Sequence, residues 1–194
     1  PDKTSPAGLV AHYHIDAEYL DEQGLAQLMQ RCAAITTEFE NVPAPALYTL
    51  GAHRPVSPSA ESVAICQDRG EEKRHFMNSG VACAPFAVIE NQADLDRIDA
   101  SLLPGILKTA RLGYDGKGQV HVADRAGLAA AWRDLKQVRC VLEQRLPLRH
   151  ELSVIVARGA DGAMVNLPLQ QNLHRDGILA VTQVPAPDIA MATQ

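Results

Sequence analysis

The stretch Leu107-Lys108-Thr109-Ala110-Arg111-Leu112-Gly113-Tyr114-Asp115-Gly116-Lys117-Gly118-Gln119 constrains this chain more than any other. A β-prone run carrying one lysine enters a loop with three glycines in six positions, and a second β-prone run, Val120–Val122, leaves it. Glycines let a backbone approach a ligand closely and turn several N–H groups toward one anion, while Lys108 and Lys117 add point charges. Phosphate suits such a loop. Asp115-Gly116 is also a good hairpin turn, so on these residues alone both readings stand. The spacing is neither Gly-x-x-x-x-Gly-Lys-Ser/Thr nor Gly-x-Gly-x-x-Gly, which leaves a P-loop or a Rossmann fingerprint unsupported.

Around this loop the pattern is α/β before and β-rich after. The chain opens turn-rich, then spaces Leu25, Leu28 and Met29 as an amphipathic helix over roughly Asp21–Cys32. Ala33–Thr37 reads as a short strand that ends in Glu38-Phe39-Glu40-Asn41 before Pro43 restarts a helix. Polar residues just past the carboxyl end of a strand sit where open α/β sheets bind ligands, so Glu38 and Asn41 are candidate substrate contacts. A helix-capping role for Asn41 is the plain alternative. Ser59–Cys66 and Asp68–Ser79 read as helices, with Gly80 as a stop. Residues 1–80 thus look like the later half of a doubly wound unit.

From Pro85 onward the sequence predicts strand Phe86–Ile89, helix Gln92–Ile98, strand Ile106–Thr109, the glycine loop, strand Val120–Val122, helix Arg125–Leu135 and strand Cys140–Glu143. That is a small α+β subdomain over 81–145. Beyond it, Leu152–Ala157, Ala163–Leu167 and Ile178–Val184 are β-rich, and Asp161-Gly162 is a hairpin signal.

With 194 residues, 46% hydrophobic and 21% charged, the chain has an ordinary globular composition. Its net charge of −5 and scattered Lys and Arg give no electrostatic reason to expect nucleic acid or an anionic membrane as partner. Ala82–Ile89, among the longest apolar stretches, is far short of the roughly 20 residues that span a bilayer. The start Pro1-Asp2-Lys3-Thr4-Ser5-Pro6 has no secretory character, which makes the cytoplasm the default expectation. Cys32, Cys66, Cys83 and Cys140 form no Cys-x-x-Cys pair, and His12-x-His14 has no third ligand nearby, so no metal site is expected among these residues.

The glycine loop resembles the phosphate-covering loop of N5-carboxyaminoimidazole ribonucleotide synthetases, ATP-grasp ligases of purine biosynthesis. Four further stretches agree with that family in order: Thr37–Pro43, Gln67-Asp68-Arg69 with Glu72-Lys73, Glu151–Ile155, and Asn172-Leu173-His174-Arg175-Asp176-Gly177-Ile178-Leu179. The resemblance implies a partial ATP-grasp fold preceded by the later half of a doubly wound pre-ATP-grasp domain. The boundaries it implies are 1–80, 81–145 and 146–194. It also implies a reaction in which ATP phosphorylates bicarbonate to carboxyphosphate and 5-aminoimidazole ribonucleotide then takes up the carboxylate, with Mg²⁺ assisting. Such chemistry needs Lys, Arg, backbone N–H groups and metal rather than a protein nucleophile.

Carried over by position, Arg69 and Lys108 are expected at the ATP phosphates, and Gly113, Tyr114, Asp115, Gly116, Lys117, Gly118 and Gln119 form the closing loop. Tyr114, Asp115 and Lys117 are expected to face the imidazole ribonucleotide or carboxyphosphate as the catalytic set. Glu143, Gln144, Arg145 and Leu146 are expected to hold adenine through the backbone, Glu151 to face the ribose hydroxyls, and His174 to occupy a further ATP-site position. For Glu151 a solvated strand end, and for His174 an ordinary turn residue, are the plain alternatives.

The resemblance also leads us to expect the family's opening Gly-Gly-Gly-Gln-Leu-Gly turn ahead of Pro1 and its Mg²⁺ carboxylates beyond Gln194. The 194 residues alone are then expected to be inactive and to fold poorly outside an island at about 85–145, whose flanking sheets have unpaired edges. A homodimer is expected of the complete protein. A nucleotide-binding piece without catalysis, and an ATP-grasp ligase with another acceptor, are the competing readings.

Overall fold

The computed structural model describes residues 5–113, 117–175, 178–187 and 189. It divides into one unit of residues 1–83 with Ala110–Leu112, and a second of residues 84–109 with 113–194.

The first unit carries α1 (Pro6–Val10), α2 (Glu22–Arg31), α3 (Ala44–Gly51), α4 (Ala60–Cys66) and α5 (Arg69–Asn78). The sequence reading missed α1 inside the turn-rich opening; the Ser5 side chain accepts the Gly8 N–H, and Pro6 supplies a φ suited to a helix start. Asp21 starts α2 in the same way by accepting from Gly24. Leu25, Leu28 and Met29 of α2 then pack on a core of Ile35, Leu47, Leu50, Ala60 and Val63.

Ala33–Thr37 does not become the strand its composition predicts. It makes one parallel bridge, Ile35 with Val56, in which the Ile35 N–H donates to Pro55 at 2.9 Å and the Ser57 N–H to Ile35 at 3.0 Å. Prolines 55 and 58 flank Val56 and have no N–H, so the partner segment lacks donors for a longer ladder.

In the second unit, β1 (Phe86–Ile89), α6 (Gln92–Asp96), β2 (Gly105–Thr109), β3 (Gln119–Val122), α7 (Arg125–Asp134) and β4 (Cys140–Gln144) follow in order. Helix α6 ends before the predicted Ile98 because Asp99 caps a new 3₁₀ turn over Ala100–Leu102. Its carboxylate accepts the Ser101 N–H at 2.8 Å, and this bond holds its pKa below the usual carboxylate value.

The four strands form one antiparallel sheet in the order β1-β4-β2-β3. Strand alternation sorts its faces. Ile89, Leu107, Val122, Cys140 and Leu142 point to one side and pack with Leu128, Ala131 and Trp132 of α7. Burial there pushes the Cys140 thiol up to about 11. Phe86, Ile106, Lys108, Gln119, His121, Val141 and Glu143 share the opposite side.

Five more strands follow: β5 (Glu151–Ser153), β6 (Val156–Arg158), β7 (Met164–Asn166), β8 (Gln170–Arg175) and β9 (Ile178–Gln183). They form a three-stranded sheet, β5-β8-β9, and a two-stranded hairpin, β6-β7. The run Leu152–Ala157, read as one β segment, is therefore shared between two sheets. The hairpin turns at Asp161-Gly162 as predicted. Gly162 sits at φ 84°, a conformation that L side chains rarely adopt, while the Asp161 carboxylate accepts the Ala163 N–H at 3.0 Å.

Candidate functional site

Lys108 and Glu143 lie 35 positions apart in sequence, yet their side chains meet. Strand β4 pairs Val141 with Lys108 and Glu143 with Ile106, so the carboxylate and the ammonium are diagonal neighbours on one face. Lys108 Nζ stands 3.0 Å from Glu143 Oε2, with the two side chains 23% and 14% exposed. Gln119 lies directly opposite Lys108 on β3, and His121 opposite Ile106. Here the structure brings together three of the expected residues, Lys108, Gln119 and Glu143. His121, which the sequence reading did not single out, joins them because of its register alone.

The base of the glycine loop is closed by the Thr109 N–H, which donates to Gly118 O at 2.8 Å. Gly118 has φ 72°, and a Cβ there would stand 2.6 Å from Thr109 Oγ1. Only glycine lets the two loop ends approach so closely at that backbone angle. Lys117 is exposed and Gly113 half-buried. Tyr114, Asp115 and Gly116 lie outside the described residues, as do Asp176 and Gly177 of the later motif.

At the end of β4, the Gln144 N–H donates to Pro85 O at 2.9 Å and the Arg145 N–H to Pro104 O at 3.0 Å. The Gln144 side chain donates to Ser101 O at 3.0 Å. These bonds tie the end of β4 to the segments at Pro85, Ser101 and Pro104.

A second constellation lies on the β5-β8-β9 sheet. His174 Nδ1 stands 3.1 Å from Glu151 Oε1, both partly exposed. On the same face the Asn172 amide donates to Ser153 Oγ at 3.0 Å and accepts from Thr182 Oγ1 at 3.0 Å. Glu151 and His174 were expected; Ser153, Asn172 and Thr182 were not. Only the strand pairing makes this polar row visible.

Arg69 belongs to the first unit, where it opens α5 and donates its N–H to Ala110 O at 2.9 Å. Beside it Asp68 is fully buried, accepts the Gly70 and Glu71 N–H groups, and pairs with Arg111 at 3.3 Å. Glu38 lines a cavity of about 320 Å³ in the same unit, along with Tyr19, Thr37 and Phe39. Asn41 does not cap α3, whose N-cap is Pro43. Its amide instead lies 3.5 Å from Glu40 Oε1. The Gln67 amide fixes this loop by donating to the carbonyls of Glu40 and Val42.

Among the described residues no group of three or more His, Cys, Asp or Glu could hold a metal ion, and no helix is long and apolar enough to cross a membrane. The described residues thus offer no carboxylate cluster for Mg²⁺.

Two family models match: an ATP-grasp domain over residues 74–194, and a ribonucleotide synthetase preATP-grasp domain over 1–67. The chain belongs to the ATP-grasp family. It is similar to the N5-carboxyaminoimidazole ribonucleotide synthases of Pseudomonas aeruginosa, at 41% identity over 87% of this chain and 47% of that protein, and of Staphylococcus aureus, at 37% identity over 96% and 50%. The solved structure of the Staphylococcus aureus N5-carboxyaminoimidazole synthetase complexed with ADP superimposes with a TM-score of 0.89 at 35% identity, covering all of this chain and 52% of that one. The chain thus spans about half the length of the relatives it matches.

Proposed function

We propose that this chain is the nucleotide-handling part of an ATP-dependent carbon–nitrogen ligase that carboxylates 5-aminoimidazole ribonucleotide. The observation that carries the nucleotide reading is Lys108, half-buried at the base of a loop closed by Thr109 and Gly118, with Gln119 opposite. The acceptor rests on the relatives, which are N5-carboxyaminoimidazole ribonucleotide synthases at 37% and 41% identity.

In the proposed reaction, a bicarbonate oxygen attacks the γ-phosphorus of ATP, releasing ADP and forming carboxyphosphate. The exocyclic amine then attacks the carboxyl carbon, phosphate departs, and the amine loses a proton. Both steps bring anions together, so the protein's task is to offset charge and hold geometry. Lys108 offsets the phosphoryl oxygens. The loop Gly113–Gln119 covers them, with Tyr114, Asp115 and Lys117 toward the acceptor. The segment Glu143–Leu146, tied into the fold through the Gln144 and Arg145 N–H groups, is the backbone edge for adenine. Glu151, paired with His174, takes the ribose hydroxyls. Mg²⁺ would offset phosphate charge when bound. A cytoplasmic location and a homodimer of the complete protein belong to the same reading.

Calorimetric titration of Mg-ATP into the chain, with Lys108→Ala beside it, is the test. Saturable binding weakened at least about tenfold in the variant is expected, since one charge-assisted contact is worth roughly 1.5–3 kcal/mol. Binding that Lys108→Ala leaves unchanged would sink the nucleotide reading. In the complete protein, ADP release that rises specifically with 5-aminoimidazole ribonucleotide separates this acceptor from any other.

A further inference from the structure

Lys108 has a carboxylate partner on its own sheet. Its ammonium lies 3.0 Å from the Glu143 carboxylate, both are less than a quarter exposed, and Ile106, Val141 and Phe86 flank them on the same face. An ammonium in such a setting, short of water, needs a counter-ion. A phosphoryl oxygen approaching Lys108 must displace that carboxylate or share the lysine with it, and it meets a like charge in doing so.

The geometry points to Glu143 as an internal counter-ion that competes with phosphate for Lys108: it pairs with the lysine across the sheet face and yields it when a polyphosphate binds. This deepens the nucleotide reading above and rests on it. Glu143 would then set how strongly the site selects for highly charged anions, because one phosphate must outbid a carboxylate already in place while a chain of phosphates does so with several oxygens. A carboxylate that only orients Lys108 for its ligand would make binding weaker when removed.

Acetylation of Lys108 by acetic anhydride, mapped by peptide mass spectrometry, reads the lysine directly, with inorganic tripolyphosphate as the protecting anion. Wild type and Glu143→Gln are compared, with circular dichroism to confirm the fold. Half-protection is expected at a tripolyphosphate concentration at least about fivefold lower in Glu143→Gln than in wild type. An equal or higher concentration in the variant overturns the proposal, and so does the absence of protection in both proteins. Should Glu143→Gln not fold, Glu143→Asp keeps the charge but draws it back by one methylene, and protection tighter than in wild type is again expected. The probe carries no adenine. A shift with tripolyphosphate alongside Mg-ATP titrations that show no binding therefore supports the counter-ion and defeats only the nucleotide reading.

Discussion

Residues 86–144 and residues 151–183 lie in one unit and are both built from antiparallel strands, yet they bury their apolar side chains to opposite extents. In the first region Ile89, Leu107 and Leu142 are 0% exposed beneath α7. In the second, Met164 is 59% and Val165 69% exposed, and Leu173, Ile178 and Leu179 lie open as well. Backbone pairing makes a sheet, but only a second layer makes a core. The strands of 151–183 pair in two small sheets with open edges, and no helix packs extensively on them among the described residues. Their stability then comes from hydrogen bonds and cross-strand pairs, each worth a few tenths to about 1 kcal/mol.

The largest expected effect follows from that contrast. Leu142→Ala empties the centre of the packed sheet, and a fully buried leucine cut to alanine costs roughly 2–5 kcal/mol. Leu173→Ala, on the open sheet, is expected within about 0.5 kcal/mol of wild type. Urea unfolding measures both. Alkylation of Cys140, buried beside Leu142 with its thiol held in the neutral form, reports independently on opening of the packed region. Equal losses from the two substitutions would erase the distinction between the regions.

What the sequence made legible follows the same line. The strands β1, β2, β3 and β4 and helix α7 were readable because each buries a regular apolar face, and the hairpin because Asp-Gly can turn where few residues can. Strand β8 was not readable. Gln170-Gln171-Asn172-Leu173-His174-Arg175 has no apolar alternation, and its polar side chains find partners only across the sheet. The site divided likewise: Lys108 and the glycine loop are local and were visible, whereas the Lys108–Glu143 pair requires β4 to lie beside β2, a fact of topology that no local spacing encodes.

A middle-sized effect sharpens the comparison at the helix that makes the packed region a core. The Asp124 carboxylate caps α7 by accepting the Gly127 N–H at 2.8 Å. Asp124→Ala is expected to cost about 1 kcal/mol. It should also speed amide exchange in β4 and leave β6 and β7 unchanged, if α7 serves the first region alone. Exchange measured by mass spectrometry that quickens in both regions would show them sharing one cooperative unit.

The smallest expected change in stability is also the most direct test of the open region. Val156 and Val165 lie on adjacent strands of the hairpin, paired with Asn166 and Ala157, and alternation places them on its two faces. Both side chains are exposed, so replacing both with lysine removes little buried area, and the thermal midpoint is expected to move by no more than about 2 °C, the equivalent of roughly 0.5 kcal/mol in a chain of this size. Solution behaviour should change much more. Open apolar strands with free edges are templates for association, and lysine on an edge is how natural sheets prevent it. Light scattering at rising concentration should therefore show less association in the double variant than in wild type. A fall in stability of more than about 1 kcal/mol would instead mean that something in solution covers the hairpin, and the contrast between a packed and an open sheet would have to be redrawn around that cover.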